Sequence, residues 1–337
     1  MNSAEQLKAL ETYFQLMSMK GIVEVFHAAR RAGVLEALAG GRHTAAALAA
    51  KCGLCEKPVS LLLRALNTAG IVQMTGEEYV AMPVLGFLSG TYQDLSNQYW
   101  DYLPSYLETG LPMQRMDDPE EGRKHYVEQA RSLRGMMLPS AMAAAGMLGI
   151  GAQLKNLSIL DVGAGSGVWG QTFALHDPQA RITAIDWPNV LEMARHYAGQ
   201  AGLGERFQSL PGSYHEVELE SAGYDLAIAA NVAHLETEDG VLRLFRRLHA
   251  ALKPGGHVLV VDVFHGQPNG EINASLYELG LALRTGHGRV FDHESLSLWL
   301  RETGFSDPQY RPIPVTPFTM GLIFARRGLP RPPIAHD

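Results

Sequence analysis

The segment Ile159-Leu160-Asp161-Val162-Gly163-Ala164-Gly165-Ser166-Gly167 constrains this chain more than any other. An aliphatic run that ends in alternating glycines fits a buried strand handing over to a helix. The glycines let the backbone approach a ligand without Cβ atoms in the way. Apolar runs at Ser158 to Val162, Arg181 to Ile185, Asp225 to Ala229 and His257 to Val263 then alternate with helical stretches. That alternation predicts an α/β domain with a parallel sheet covered by helices on both faces. A late helix over His293 to Thr303 stops at Gly304, before a last strand near Phe318 to Ala325.

The spacing of the turn is Gly-x-Gly-x-Gly and not the Gly-x-Gly-x-x-Gly of dinucleotide binders. Asp161 sits just before it. Asp186 ends the second strand, where a carboxylate can accept both hydroxyls of a ribose. A nicotinamide cofactor would ask for a pyrophosphate cradle; S-adenosylmethionine has no pyrophosphate and presents an ammonium that needs an acceptor or a bridging water.

Upstream, Ile22, Val25, Phe26, Ala29, Val34 and Leu38 recur at helical spacing, which predicts one amphipathic helix or a broken pair from Gly21 to Leu38. Thr44 precedes Ala45 to Lys51, Gly53 makes a turn, a helix follows from about Pro58 to Thr68, and Ile71 to Met74 and Tyr79 to Ala81 flank Gly76. Helix, turn, helix and a two-stranded wing form a winged-helix pattern. Arg64 is the only cation in its second helix, which suits packing better than phosphates or base edges. From Val84 to Gly151 the sequence reads as several helices rich in Tyr, Trp and Met, fit for a core or for a wall against a flat apolar ligand.

Together these segments resemble the S-adenosylmethionine-dependent O-methyltransferases that join a winged-helix dimerisation domain to a Rossmann-like catalytic domain. The resemblance runs from the helix at Gly21 to the strand near Phe318. It is carried by Leu160 to Gly167, Asp186-Trp187-Pro188-Asn189-Val190, Leu252-Lys253-Pro254-Gly255-Gly256 and Gly304-Phe305. It implies a mostly α-helical dimerisation domain over 1–95, a helical linker lining the acceptor pocket over 96–150, and a Rossmann-like class I methyltransferase domain over 151–330. The implied cofactor is S-adenosyl-L-methionine, leaving as S-adenosyl-L-homocysteine. By resemblance Gly163 and Gly165 pass its methionine end, Asp186 holds the ribose and Trp187 lies against the adenine. Asp161, Gly167 and Asn231 belong to the same binding set. Ser213 stands where the family usually has an Asp that reads the adenine amino group, so an uncharged contact is expected there, with Tyr214 stacking on the ring.

Methyl transfer from a sulfonium is an in-line displacement, so alignment is the larger task and proton removal from the acceptor the smaller one. His234, in Asn231-Val232-Ala233-His234, follows the strand Asp225 to Ala229, at the sheet end where open α/β folds build their sites. In the family this His deprotonates the acceptor hydroxyl. Asp262 matches the first of the two acids that orient it, Val290 occupies the place of the second, and Leu235 and Glu236 replace the usual Asp and Trp after the His. His287 and Arg289 lie in a Gly-flanked loop that could border the acceptor pocket or be solvated, and His265, Glu278 and Arg284 read equally as surface or pocket groups. The expected reaction is methylation of a hydroxyl on a small aromatic or polyketide-like metabolite. Methylation of carbon or nitrogen, a non-methylating reaction on the same fold, and a DNA-binding regulator are the alternatives.

A formal charge of −7 argues against nucleic acid or an anionic membrane as a partner. With 46% hydrophobic and 19% charged residues the chain falls in the globular class, and disorder is expected only at its ends, as over Pro330 to Asp337. The two cysteines, Cys52 and Cys55, lack a second pair or a His cluster to complete a metal set. The polar first residues and the lack of a long apolar run predict a cytoplasmic protein, and an apolar N-terminal module without a DNA-reading face predicts a homodimer.

Overall fold

The computed structural model describes residues 3–88, 98–266, 271–315 and 320–328. The tail Pro330 to Asp337, and Phe318 of the expected last strand, lie outside them. The chain forms two compact units, Met1–Asn97 and Gln98–Asp337.

In the first unit α1 (Ser3–Arg31) is followed by α2 (Val34–Leu38). Gly33 between them is left-handed at φ 73°, so the periodic stretch from Gly21 is a broken pair. Its first half also begins eighteen positions earlier than the periodicity indicated. Next come β1 (His43–Thr44), α3 (Ala45–Cys52), α4 (Glu56–Thr68), β2 (Val72–Thr75), β3 (Glu78–Ala81) and α5 (Val84–Leu88). Thr44 caps α3 by accepting from the Ala47 N–H at 3.2 Å, and Gly53 ends it in the left-handed region. The wing has three strands in the order β1-β3-β2, because His43 and Thr44 pair with Tyr79 and Glu78. Phe26, Leu38, Leu48, Leu63 and Leu66 fill the core.

The second unit opens with α6 (Gln98–Thr109) and α7 (Pro119–Leu148). Then follow β4 (Ser158–Val162), α8 (Val168–His176), β5 (Arg181–Asp186), α9 (Pro188–Gln200), β6 (Phe207–Pro211), β7 (Tyr224–Ala230), α10 (Glu238–Ala251), β8 (Leu252–Asp262), α11 (Glu271–Arg284), α12 (His293–Glu302), β9 (Phe305–Pro312) and β10 (Gly321–Arg327). One seven-stranded sheet has the order β6-β5-β4-β7-β8-β10-β9, parallel except for β10, which runs antiparallel to both neighbours. The central strands carry Ile159, Leu160, Ala227, Ile228, Leu259 and Val260 at 0% exposure, as strands covered on both faces must. Two strands, β6 and β9, fall where the sequence pattern predicted none; they are the two edges.

Helix α10 shows how the cover is built. Val241, Leu244, Phe245 and Leu248 are buried at i, i+3, i+4 and i+7, and Thr237 caps the start by accepting from the Gly240 N–H at 3.2 Å. Each such side chain contributes about 1.5–3 kcal/mol of burial, and Phe245→Ala would cost roughly 3–5 kcal/mol. Because β4, β5 and β7 are parallel and adjacent, their C-terminal ends open side by side, which brings Val162, Asp186 and Ala230 to one rim. No helix among the described residues is long and apolar enough to cross a membrane.

Candidate active site

At that rim lies a cavity of about 320 Å³ whose lining includes Gly163, Asp186, Trp187, Gly212, Ser213, Tyr214, Val232, Glu236 and His287. Gly163 is left-handed at φ 60°, and a Cβ on it would sit 2.7 Å from Val232 Cγ2. The turn is therefore closed to any side chain at the point where it passes the cavity.

Asp186 is the polar centre of this end. Its two carboxylate oxygens accept the N–H of Gly165 at 2.8 Å and of Trp187 at 2.7 Å. Those bonds hold the glycine turn and the start of α9 in fixed relation. A carboxylate offers about four acceptor sites, so two remain for a pair of hydroxyls. Burial lifts the group to about 6, against the lowering effect of the two N–H donors.

Asp161 faces away from the cavity. Its Oδ2 accepts the Gly170 N–H at 3.0 Å in the first turn of α8, and burial pushes it to about 7, a rise that Asp186 reinforces. Gly165 and Gly167 shape the turn without lining the cavity, and Asn231, left-handed at φ 59°, turns the chain off β7 toward His234 while its N–H donates to Val261 O. Arg134 of α7 donates to Ser166 O at 3.0 Å and to Gln171 Oε1 at 3.1 Å, with its guanidinium 4.3 Å from the centre of the Tyr197 ring. It clasps the far side of the turn, and no local sequence signal marked it.

The residues after Gly212, together with Glu236, form a linked polar group. The Tyr214 hydroxyl donates to Glu236 Oε1 at 2.6 Å, and His215 Nε2 meets the same oxygen at 2.8 Å. Burial alone would raise the Glu236 carboxyl, but the bonds from His215 and Tyr214 and the nearby Arg243 outweigh it and hold the group low. Burial, then the Glu236 charge, pushes the Tyr214 phenol well above its ordinary value. Glu236 Oε2 lies against Gly240, where any Cβ would overlap it. Ser213 Oγ accepts the His215 N–H at 3.2 Å and keeps a further lone pair. The sequence marked Glu236 only as a departure; its partners place it in the cavity wall.

His234 sits in the short turn Ala233–Leu235 after β7, with Asp262 at the end of neighbouring β8. Their side chains are 7% and 4% exposed, and His234 Nδ1 lies 2.8 Å from Asp262 Oδ1. Asp262 Oδ1 also accepts the Val263 N–H at 2.9 Å, and Oδ2 accepts the His234 N–H at 3.2 Å. A carboxylate can only accept, so Nδ1 carries a proton, and in the neutral ring Nε2 carries the lone pair. Val290 is buried and contributes no acid, while the Arg289 N–H donates to His234 O at 2.9 Å. Tyr277, absent from the sequence-based candidates, brings its hydroxyl to 3.2 Å from Nε2.

The cavity wall at His287 is tied down from outside. Asp117 accepts the Gly286 N–H with both oxygens, at 2.9 and 2.8 Å, and the His287 N–H at 2.9 Å. His287 thus borders the cavity, whereas Arg289 is exposed and stands over the Phe291 ring. Glu278 pairs with His265 at 3.0 Å, and Arg284 lies over the Tyr277 ring at 5.6 Å.

The cavity, with its paired acceptor sites on Asp186, the apolar Trp187 and Val232, and a turn that admits close approach, fits an adenosine-bearing ligand. Residues 106–306 match a family model described as an O-methyltransferase domain. The chain is similar to the 3-hydroxy-5-methyl-1-naphthoate 3-O-methyltransferase of Streptomyces sahachiroi, 24% identical over 294 residues that span 83% of this chain and 85% of that protein. It is 27% identical over 281 residues to the mitomycin biosynthesis 6-O-methyltransferase of Streptomyces lavendulae, covering 77% and 79%. In fold it resembles the solved human N-acetylserotonin methyltransferase in complex with SAM, with a TM-score of 0.71, 20% identity, and 97% and 100% of the two chains covered.

Proposed function

We propose, for a chain that belongs to the O-methyltransferase domain family and uses S-adenosyl-L-methionine, that it methylates a hydroxyl of a small aromatic or polyketide-like metabolite with His234 as general base. The observation that carries the base assignment is the 2.8 Å bond from His234 Nδ1 to Asp262, which leaves Nε2 as the proton acceptor. The acceptor class rests on the two relatives, one named for a naphthoate and one for mitomycin biosynthesis.

Bound cofactor supplies a methyl group on a positively charged sulfur, open to attack by an oxygen in line with it. Asp186 would take the ribose hydroxyls on its two remaining acceptor sites, Gly163 and Gly165 would let the amino-acid end pass, and Trp187 would lie along the adenine. Ser213 Oγ would accept from the adenine amino group, and the Glu236 anchor on Tyr214 keeps that ring in the wall. Asp161 and Gly167 would act through the shape of the turn, and Asn231 through the path of the chain to His234. His234 Nε2 would remove the acceptor proton, and Asp262 would stabilise the imidazolium formed, in a site where positioning supplies the larger part of the rate.

Incubation with methyl-labelled cofactor and a panel of phenols and naphthols tests the reading. Labelled ether is expected from at least one of them; no methylated product from any acceptor would sink it.

We further propose a homodimer through the first unit. Leu7, Leu10, Tyr13, Phe14, Leu16, Met17 and Met19 of α1 are all exposed, an apolar surface that a second copy would bury.

A further inference from the structure

The lone pair that makes His234 a base is already engaged. Tyr277 of α11 holds its hydroxyl oxygen 3.2 Å from Nε2, with the two rings edge to face at 5.4 Å and 80°. With Nδ1 donating its N–H to Asp262, the Tyr277 hydroxyl is the donor to Nε2 of the neutral ring. A neutral imidazole nitrogen has one in-plane lone pair. It can receive the proton of Tyr277 or that of an acceptor hydroxyl, and not both.

We propose that Tyr277 holds the station of the acceptor hydroxyl on His234, and that an acceptor engages the base by displacing it. This rests on the reading of His234 as the base. A tyrosine side chain is itself a phenol, so the free protein satisfies the buried Nε2 with the same functional group that a phenolic substrate brings. The exchange is a matter of side-chain rotation and not of helix movement, because α11 is held from the residue after Tyr277 to its last turn. Glu278, the next residue, pairs with His265 at 3.0 Å, and the last turn accepts the Met113 N–H on Leu283 O and the Met116 N–H on Arg284 O, both at 2.9 Å. On displacement Tyr277 keeps its own proton, and the proton of the acceptor hydroxyl passes to Nε2. A neutral bond at the long end of the hydrogen-bond range is weak enough to yield, corresponding to roughly two- to tenfold in an equilibrium constant.

The test uses protein labelled with ¹⁵N-histidine and 2-naphthol as the probe phenol, comparing wild type with Tyr277→Phe, which keeps the ring and removes the donor. Without the probe, the His234 Nε2 resonance of Tyr277→Phe is expected to move toward that of a nitrogen free of hydrogen bonds. The Kd for 2-naphthol is expected to fall roughly two- to tenfold. In a His234→Ala background Tyr277→Phe should leave that Kd unchanged. Equal or weaker binding to Tyr277→Phe, or binding to neither protein, overturns the proposal; weaker binding would make Tyr277 a partner of the acceptor. Turnover of His234→Ala is a separate measurement. Its retention would remove the base assignment, whereas the Kd comparison bears on Tyr277.

Discussion

Asp262 grips His234 twice, with one carboxylate oxygen 2.8 Å from the ring Nδ1 and the other accepting the main-chain N–H of the same residue at 3.2 Å. Ring tautomer and chain position are therefore set by a single side chain. Because the pair spans 28 residues of sequence, it also ties the end of β7 to the end of β8.

His234→Ala is expected to lower methyl transfer by roughly 10²–10⁴-fold while leaving cofactor affinity unchanged by calorimetry. Asp262→Asn should also reduce turnover, since an amide can present a donor to Nδ1 and favour the wrong tautomer. Unchanged turnover in His234→Ala would remove it from the mechanism.

Asp186 gives cofactor binding a pH dependence of predictable sign. Hydroxyl donors favour the carboxylate over the carboxyl form, and burial raises the group to about 6. Affinity is expected to be level above about pH 7 and to weaken as pH falls through 6. Asp186→Ala should bind weakly at every pH, and a titration matching wild type would refute the ribose role.

Asp161 should govern the stability of the cofactor-free protein. Its folded value, about 7, lies above the ordinary 3.8, so the folded state binds more protons than the unfolded state between those values. Stability from this group therefore falls as pH rises from about 4 through 7. Asp161→Asn, which can still accept the Gly170 N–H, should raise the melting temperature at pH 8 and flatten its pH dependence; a lower melting temperature at pH 8 would contradict this.

Glu236→Ala leaves the Tyr214 hydroxyl without its 2.6 Å acceptor. A cost of about 1–3 kcal/mol in unfolding free energy is expected, and Tyr214→Phe in the same background should recover part of it. Additive losses in a denaturant double-mutant cycle would show that the pair is not coupled.

Features set by short stretches of chain were legible in the sequence. The glycine turn, Asp186 at a strand end and the alternation of buried strands and helices depend on neighbours within a few residues. The strands that escaped notice are the sheet edges. In β6 only Phe207, Ser209 and Leu210 are even partly buried, and β9 carries Pro308 and Pro312, so neither shows the apolar run of a central strand. The early start of α1 was hidden because Leu7, Leu10, Phe14 and Met17, although at helical spacing, are interleaved with polar residues of both charges and remain exposed instead of entering the core. Tyr277 was missed for a different reason: its contact with His234 crosses 43 residues and depends on how α11 seats against α6. No periodicity within the helix encodes that seating.

The clasp of Asp117 on Gly286 and His287 separates the two halves of the cavity in their heredity. The half that would hold the cofactor is built from the central strands and their turns, where a change such as a side chain at Gly163 disturbs the sheet rim itself. His287, by contrast, reaches the cavity from a loop fastened by three hydrogen bonds to one half-buried carboxylate and by the Arg289 N–H to His234 O. If the acceptor of the proposed reaction lies against that wall, substitutions at 117 or 287 would reshape its place at little expense to the fold, and acceptor range would be free to diverge between descendants of this chain while their methyl donor stays the same.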